Sequence, residues 1–158
     1  MDTCVTCGST EIEHAASFHE TRHVGRHVAQ VEYVGDRCRA CGETYVSGEN
    51  VASVNLALAE RLVERGELDG SVVRFVRKAL GWSGGDLAGI LGVAAETVSR
   101  WENDHKEIDA PLRVVLNLLF AAELRGDHAV RGLIRRVRDN AAPEGVTGVI
   151  GLGVVGPG

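Results

Sequence analysis

The chain has 158 residues and a formal charge of −5, which leaves room for one ordinary domain or two small ones and excludes a large multi-domain enzyme. Apolar residues make up 44% and charged residues 25%, so a folded core is expected and wholesale disorder is excluded. The acidic balance also argues against indiscriminate coating of nucleic acid, although a local basic face can survive within it.

The opening Met1-Asp2-Thr3-Cys4 leads into no apolar run, and no stretch approaches the roughly 18 apolar residues of a membrane span. A cytoplasmic protein without a membrane partner is the expectation. Charge varies along the chain: −3 over residues 1–48, −1 over 49–66, −3 over 67–110, +3 over 111–140 and −1 from 141 onward. Only the late segment is basic.

All four cysteines lie in the first 41 residues. Cys4-Val5-Thr6-Cys7-Gly8 and Cys38-Arg39-Ala40-Cys41-Gly42 are two copies of a tight turn that aims both thiolates at one point, with a Gly supplying the backbone freedom the turn needs. Without a secretion signal, this pattern points to a metal ahead of disulfides. Four thiolates fill a tetrahedron and leave no open position for water, so Cys4, Cys7, Cys38 and Cys41 are expected to hold a structural zinc ion. In zinc-finger peptides such binding supplies on the order of 10 kcal/mol, which a segment too short for a good core would need. Iron in a rubredoxin-like site uses the same ligands, and unliganded core thiols or a redox pair are the plain alternative.

Between the cysteine pairs, residues 11–22 and 26–33 flank Val24-Gly25, and Ala29, Val31 and Tyr33 alternate with Gln30 and Glu32. This predicts a hairpin, and residues 1–48 are expected to form a zinc-binding β domain. His14, His19, His23 and His27 crowd the same region. The last three share parity along one strand and would form one face, but solvated positions suit them and no ligand role is assigned.

Helix formers fill residues 51–65 up to Gly66, so 49–66 is expected to be a connecting helix. Residues 67–140 read as an all-α domain with helices near 71–80, 84–91, 95–103, 111–125 and 127–140. Ser83 with Asp86 resembles a capping box, Gly92 ends a helix, and Pro111 suits a first turn. The tail, 141–158, carries six Gly in its last fourteen positions. It is expected to be disordered or ordered only against a partner.

Residues 80–102 have the apolar spacing of a helix-turn-helix: Leu87, Ala88 and Leu91 inward, Gly92 at the turn, and Val93, Val98 and Trp101 anchoring the second helix. Ala95, Glu96, Thr97, Ser99 and Arg100 are left outward as the DNA-binding face. There Arg100 suits guanine, and Thr97 or Ser99 suits base or phosphate. No deaminase signature, nucleophile elbow or phosphate loop occurs, so an enzyme is not expected.

Leu87-Ala88, Leu91-Gly92-Val93 and Ser99-Arg100-Trp101-Glu102 resemble the Cro repressor-like (XRE) helix-turn-helix family over about 60 residues. That resemblance implies a structural ion pair between Arg77 and Glu102. The chain departs from the family at Gly84, where Gln is frequent, and at Ala94, where Ser or Thr caps the helix. The order of two Cys-x-x-Cys-Gly knuckles, a connecting helix and this unit is similar to the MqsA family of type II antitoxins, with its YgiT-type zinc finger. The resemblance implies zinc on Cys4, Cys7, Cys38 and Cys41, and a zinc domain that neutralises a small mRNA-cleaving ribonuclease toxin. It also implies a homodimer that represses its own operon on double-stranded operator DNA, with Arg100 reading a base and Glu96 standing where the family has Asn. The expectation is an α+β fold, a small zinc-bound antiparallel β domain followed by an all-α helix-turn-helix domain. The alternative function is a stand-alone zinc-finger transcriptional regulator without a toxin.

Overall fold

A computed structural model describes residues 2–140; the expectation for the Gly-rich tail falls outside them. Within these residues the fold is α+β, with a three-stranded antiparallel sheet preceding six helices. Strands β1 (Ile12–Val24) and β2 (His27–Cys38) form the hairpin, and the short β3 (Thr44–Tyr45) pairs with the far side of β2. The sequence placed the turn at Val24-Gly25 and ended the arms near residues 22 and 33. The structure instead closes Val24 on His27 around Gly25-Arg26, and β2 runs on to Cys38. Gly25 has φ +56°, the conformation that a two-residue hairpin loop requires at its first position and that Gly adopts without steric cost.

One extra residue sits in β1 between Glu13 and Ala16, where the register slips and Ala15 takes φ +53°. Such a bulge re-aims the strand. Beyond it, alternation is regular: Ala16 and Val24 of β1 and Val31 and Tyr33 of β2 are buried, while Ser17, His19, His23, Gln30 and Glu32 are exposed. The two-residue turn resets parity, so His27 lies on the face opposite His19 and His23. The expectation of one histidine face is therefore overturned.

Helix α1 (Gly48–Glu64) is capped by Ser47, whose side chain accepts from the Asn50 amide. It does more than connect. Its buried face, Leu58, Ala59, Leu62 and Val63, packs between β2, α2 (Gly70–Ala79) and α5 (Ala110–Leu124). One apolar cluster consequently runs from Val24, Val31 and Tyr33 through Leu62, Val73 and Leu87 to Phe120.

Helices α3 (Gly84–Leu91), α4 (Ala95–Glu102) and α6 (Ala129–Asp139) complete the chain. Ser83 and Asp86 form a reciprocal capping box on α3, Asp109 caps α5, and Pro111 lies in its first turn. Ile90 is buried with Leu87 and Ala88, whereas Leu91 is half-buried. No helix among the described residues is long and apolar enough to cross a membrane.

The tip of the hairpin rests on the start of α2. A Cβ built on Gly25 would lie 2.7 Å from the Ser71 Cβ. Gly25→Ala therefore combines a disfavoured backbone angle with overlap. It should cost about 1 to 3 kcal/mol of stability, read as a lower midpoint in urea or thermal unfolding.

Candidate metal centre and nucleic-acid interface

The two cysteine knuckles have the same geometry. In each, the glycine amide donates to the carbonyl of the first cysteine, Gly8 to Cys4 and Gly42 to Cys38, both at 2.9 Å. Gly8 and Gly42 take φ +73° and +80°. The amide of Cys4 bonds the Ser9 carbonyl and that of Cys38 bonds the Glu43 carbonyl, each at 2.8 Å. The hairpin carries the second knuckle back to the first, so the four sulfurs converge although 30 residues separate Cys7 from Cys38.

Cys4 Sγ lies 3.6 Å from Cys41 Sγ, Cys7 Sγ lies 3.6 Å from Cys38 Sγ, and all four fall within 4.8 Å of one another. A zinc–sulfur bond of about 2.3 Å places tetrahedral ligands about 3.8 Å apart, so this cluster fits one such ion. The first cysteine of each pair is buried, and the second is exposed.

Tyr45, on β3, was not singled out by its sequence. Its hydroxyl lies 3.1 Å from Cys4 Sγ and 3.3 Å from Thr6 Oγ1. The Tyr45 hydrogen bond is the main reason the Cys4 thiol is lowered to about 6, against the opposing effect of burial. Cys41 is pushed up to about 12: the Glu43 amide lowers it, but hydrogen bonds shared with the other cysteines, together with burial, outweigh that. A metal binding here would displace protons, and hydrogen bonds to its thiolates would set how firmly they hold.

None of the histidines joins the sulfur cluster. His14 pairs with Asp36 at 3.1 Å, and His19 and His23 are exposed. His27 reaches Asp69 at 3.2 Å and Glu67 at 3.6 Å, tying the hairpin turn to the loop before α2. Asp69 also caps α2 by accepting from the Val72 amide at 2.9 Å.

The second assembly is the α3–α4 pair. Gly92 closes α3 in the left-handed conformation, and Val98 and Trp101 seat α4 in the core. Ala95, Glu96, Ser99 and Arg100 are exposed along α4, and Thr97 is half-buried. Ala94 occupies the N-cap of α4 with no side-chain cap bond. At the other end Arg77 grips Glu102 through two bonds, Nε to Oε1 at 2.6 Å and NH2 to Oε2 at 2.8 Å, and its NH1 donates to the Trp82 carbonyl at 2.6 Å. Both side chains are about nine-tenths buried, 10% and 8% exposed. The bond to Glu102 raises the Arg77 pKa further, against its partial burial. This fork fixes α2 against the last turn of α4, and with it the angle at which the exposed face is presented.

A sequence model of the family described as the antitoxin component of bacterial toxin-antitoxin systems, MqsA, matches residues 2–123. That span holds both the sulfur cluster and the α3–α4 pair. No curated protein matches the chain.

Tyr45→Phe should keep the sulfurs in place yet weaken zinc retention about tenfold, measured by competition with a chromophoric chelator. Unchanged retention would remove the hydroxyl from any role at the centre.

Proposed function

Because the chain belongs to the MqsA family of antitoxin components, we propose that it is the antitoxin of a type II pair that neutralises an mRNA-cleaving toxin and represses its own operon. The observation that carries this reading is that one family match spans both the four-cysteine cluster and the helix-turn-helix unit.

In this reading zinc on Cys4, Cys7, Cys38 and Cys41 is structural: it saturates the tetrahedron, ties the two knuckles together and performs no chemistry on a substrate. The protein is a binder and not an enzyme. Residues 1–48 form the toxin-binding unit, and 67–140 the DNA-binding and dimerisation unit. The net −3 of residues 1–48 favours encounter with a basic ribonuclease.

For DNA, α4 enters the major groove. Arg100 donates two bonds to O6 and N7 of a guanine, Glu96 accepts from a cytosine amino group, and Thr97, Ser99 and Ala95 line the contact. A homodimer presents two such helices about 34 Å apart to a palindromic operator. The Arg77–Glu102 fork sits behind the reading face, so it orients the helix without touching a base.

The test pairs two measurements. Co-expression with the small ribonuclease encoded beside it should restore growth, and the purified protein should bind its own promoter. Arg100→Ala should weaken operator binding by about 1 to 3 kcal/mol while zinc content and toxin neutralisation stay as they were. Promoter binding without any toxin partner would make the chain a stand-alone zinc-containing regulator, and failure of both measurements would overturn the reading.

A further inference from the structure

Helix α6 lies beyond the family match, which ends at residue 123. Its eleven residues carry four arginines, Arg131, Arg135, Arg136 and Arg138, against one acid, Asp139. Residues 67–110, which contain the whole helix-turn-helix unit, hold five Lys and Arg against eight Asp and Glu. Duplex DNA presents a phosphate charge about every 1.7 Å of its axis. An acidic reading unit needs cations from elsewhere to stay on such a surface, and α6 is the densest cluster of them in the described chain.

The position of α6 matches that need. Val130 and Ile134 pack against the core, and the helix lies on α3 and α5. Arg131 stands over the Trp82 ring, 5.9 Å from its centroid, and its Nε is 3.4 Å from Glu123. At the other end, Arg138 donates to the Gly89 carbonyl, and its Cδ lies 2.6 Å from where a Cβ on Gly92 would stand. Trp82 precedes the cap of α3 and Gly92 ends it, so the two arginines are pinned at opposite ends of the first helix of the motif. The i, i+4, i+7 spacing of Arg131, Arg135 and Arg138 puts all three on one edge of α6. Arg135, between the pins, is exposed and makes no ion pair or hydrogen bond among the described residues. The Gly92 turn leads within three residues to the first turn of α4, the end that enters the groove.

We propose that this edge of α6 is a phosphate-contacting extension of the DNA interface, with Arg135 bonding the duplex backbone beside the groove that α4 reads. It rests on the DNA-binding reading above and adds to it a sequence-independent grip supplied from outside the helix-turn-helix. Pinning of the neighbouring arginines gives the edge a fixed place, and the exposed Arg135 guanidinium suits phosphate oxygens as a fork.

The test uses the full chain, with fluorescence anisotropy on the operator duplex and on a scrambled duplex of equal length across a salt series. Arg135→Gln should weaken both duplexes alike, by about five- to tenfold per protomer at low salt, and should flatten the log K against log salt slope by about one per protomer. Arg135→Lys, which keeps the charge, should keep the slope. Arg100→Ala should instead weaken the operator selectively. Arg135 is exposed and has no ion pair or hydrogen bond among the described residues, so the helical signal and melting temperature of Arg135→Gln should match the wild type. If the wild-type chain binds neither duplex, the DNA reading itself falls. If the wild type binds and Arg135→Gln shows the same affinity and slope, only the role of α6 falls, and the same holds if that variant loses toxin binding but not DNA binding.

Discussion

Four sulfur atoms meeting within 4.8 Å are what give the front of this molecule a shape. The sheet there has two long strands and one of two residues, and the buried apolar side chains of its inner face, Val24, Val31, Tyr33 and Ala16, run from the hairpin tip only as far as the Ala16–Gly35 pair, short of the cysteines. At the cysteine end there is almost no apolar surface to bury, and hydrophobic burial cannot close it. A tetrahedral ion in that place would join residues 4–7 to 38–41, holding the β2–β3 corner and the Tyr45 hydroxyl in position.

Over the rest of its length the sheet is held by ordinary packing. Val24, Val31 and Tyr33 enter the same apolar cluster as α1, α2 and α5, and His27 and Asp69 bridge the hairpin turn to the cap of α2. The hairpin thus has a polar, sulfur-bound end and an apolar, helix-bound end. Whatever binds along it acts on a strand pair whose tip touches the helix that Arg77 links to α4. The geometry of the exposed α4 face is set through that fork, both of whose charged side chains are about nine-tenths buried.

Much of this was written in short-range patterns. Repeated Cys-x-x-Cys-Gly spacing foretold convergent thiols, the Ser83/Asp86 pair and Gly92 foretold both ends of α3, and Pro111 foretold the start of α5. These signals act within a single turn of chain, where backbone chemistry decides the outcome. What escaped was long-range or register-dependent. The bulge at Glu13/Ala16 has no sequence mark beyond an Ala in a left-handed conformation. The histidine parity failed because His27 lies beyond a two-residue turn, across which residues of like parity fall on opposite faces, so counting along one strand does not reach it. Tyr45 meets Cys4 across 41 residues, and nothing in the two-residue strand that bears it announces a partner. Likewise α6 was legible as a basic helix, but its seat on α3 depends on residues 49 and 46 positions earlier: the Gly89 carbonyl that accepts from Arg138, and Gly92, whose missing side chain leaves room for the arginine stem.

The sulfur cluster is lopsided toward solvent: Cys4 and Cys38 are buried, while Cys7 and Cys41 face outward. An ion seated there would be gripped from inside by two thiolates and approachable from outside through the other two. Its departure would then require no global unfolding, since an incoming thiol could replace the outer ligands one at a time by associative exchange. Oxidants would meet the same outer pair first. The lifetime of such an ion would then depend on solution chemistry at the rim as well as on the stability of the fold.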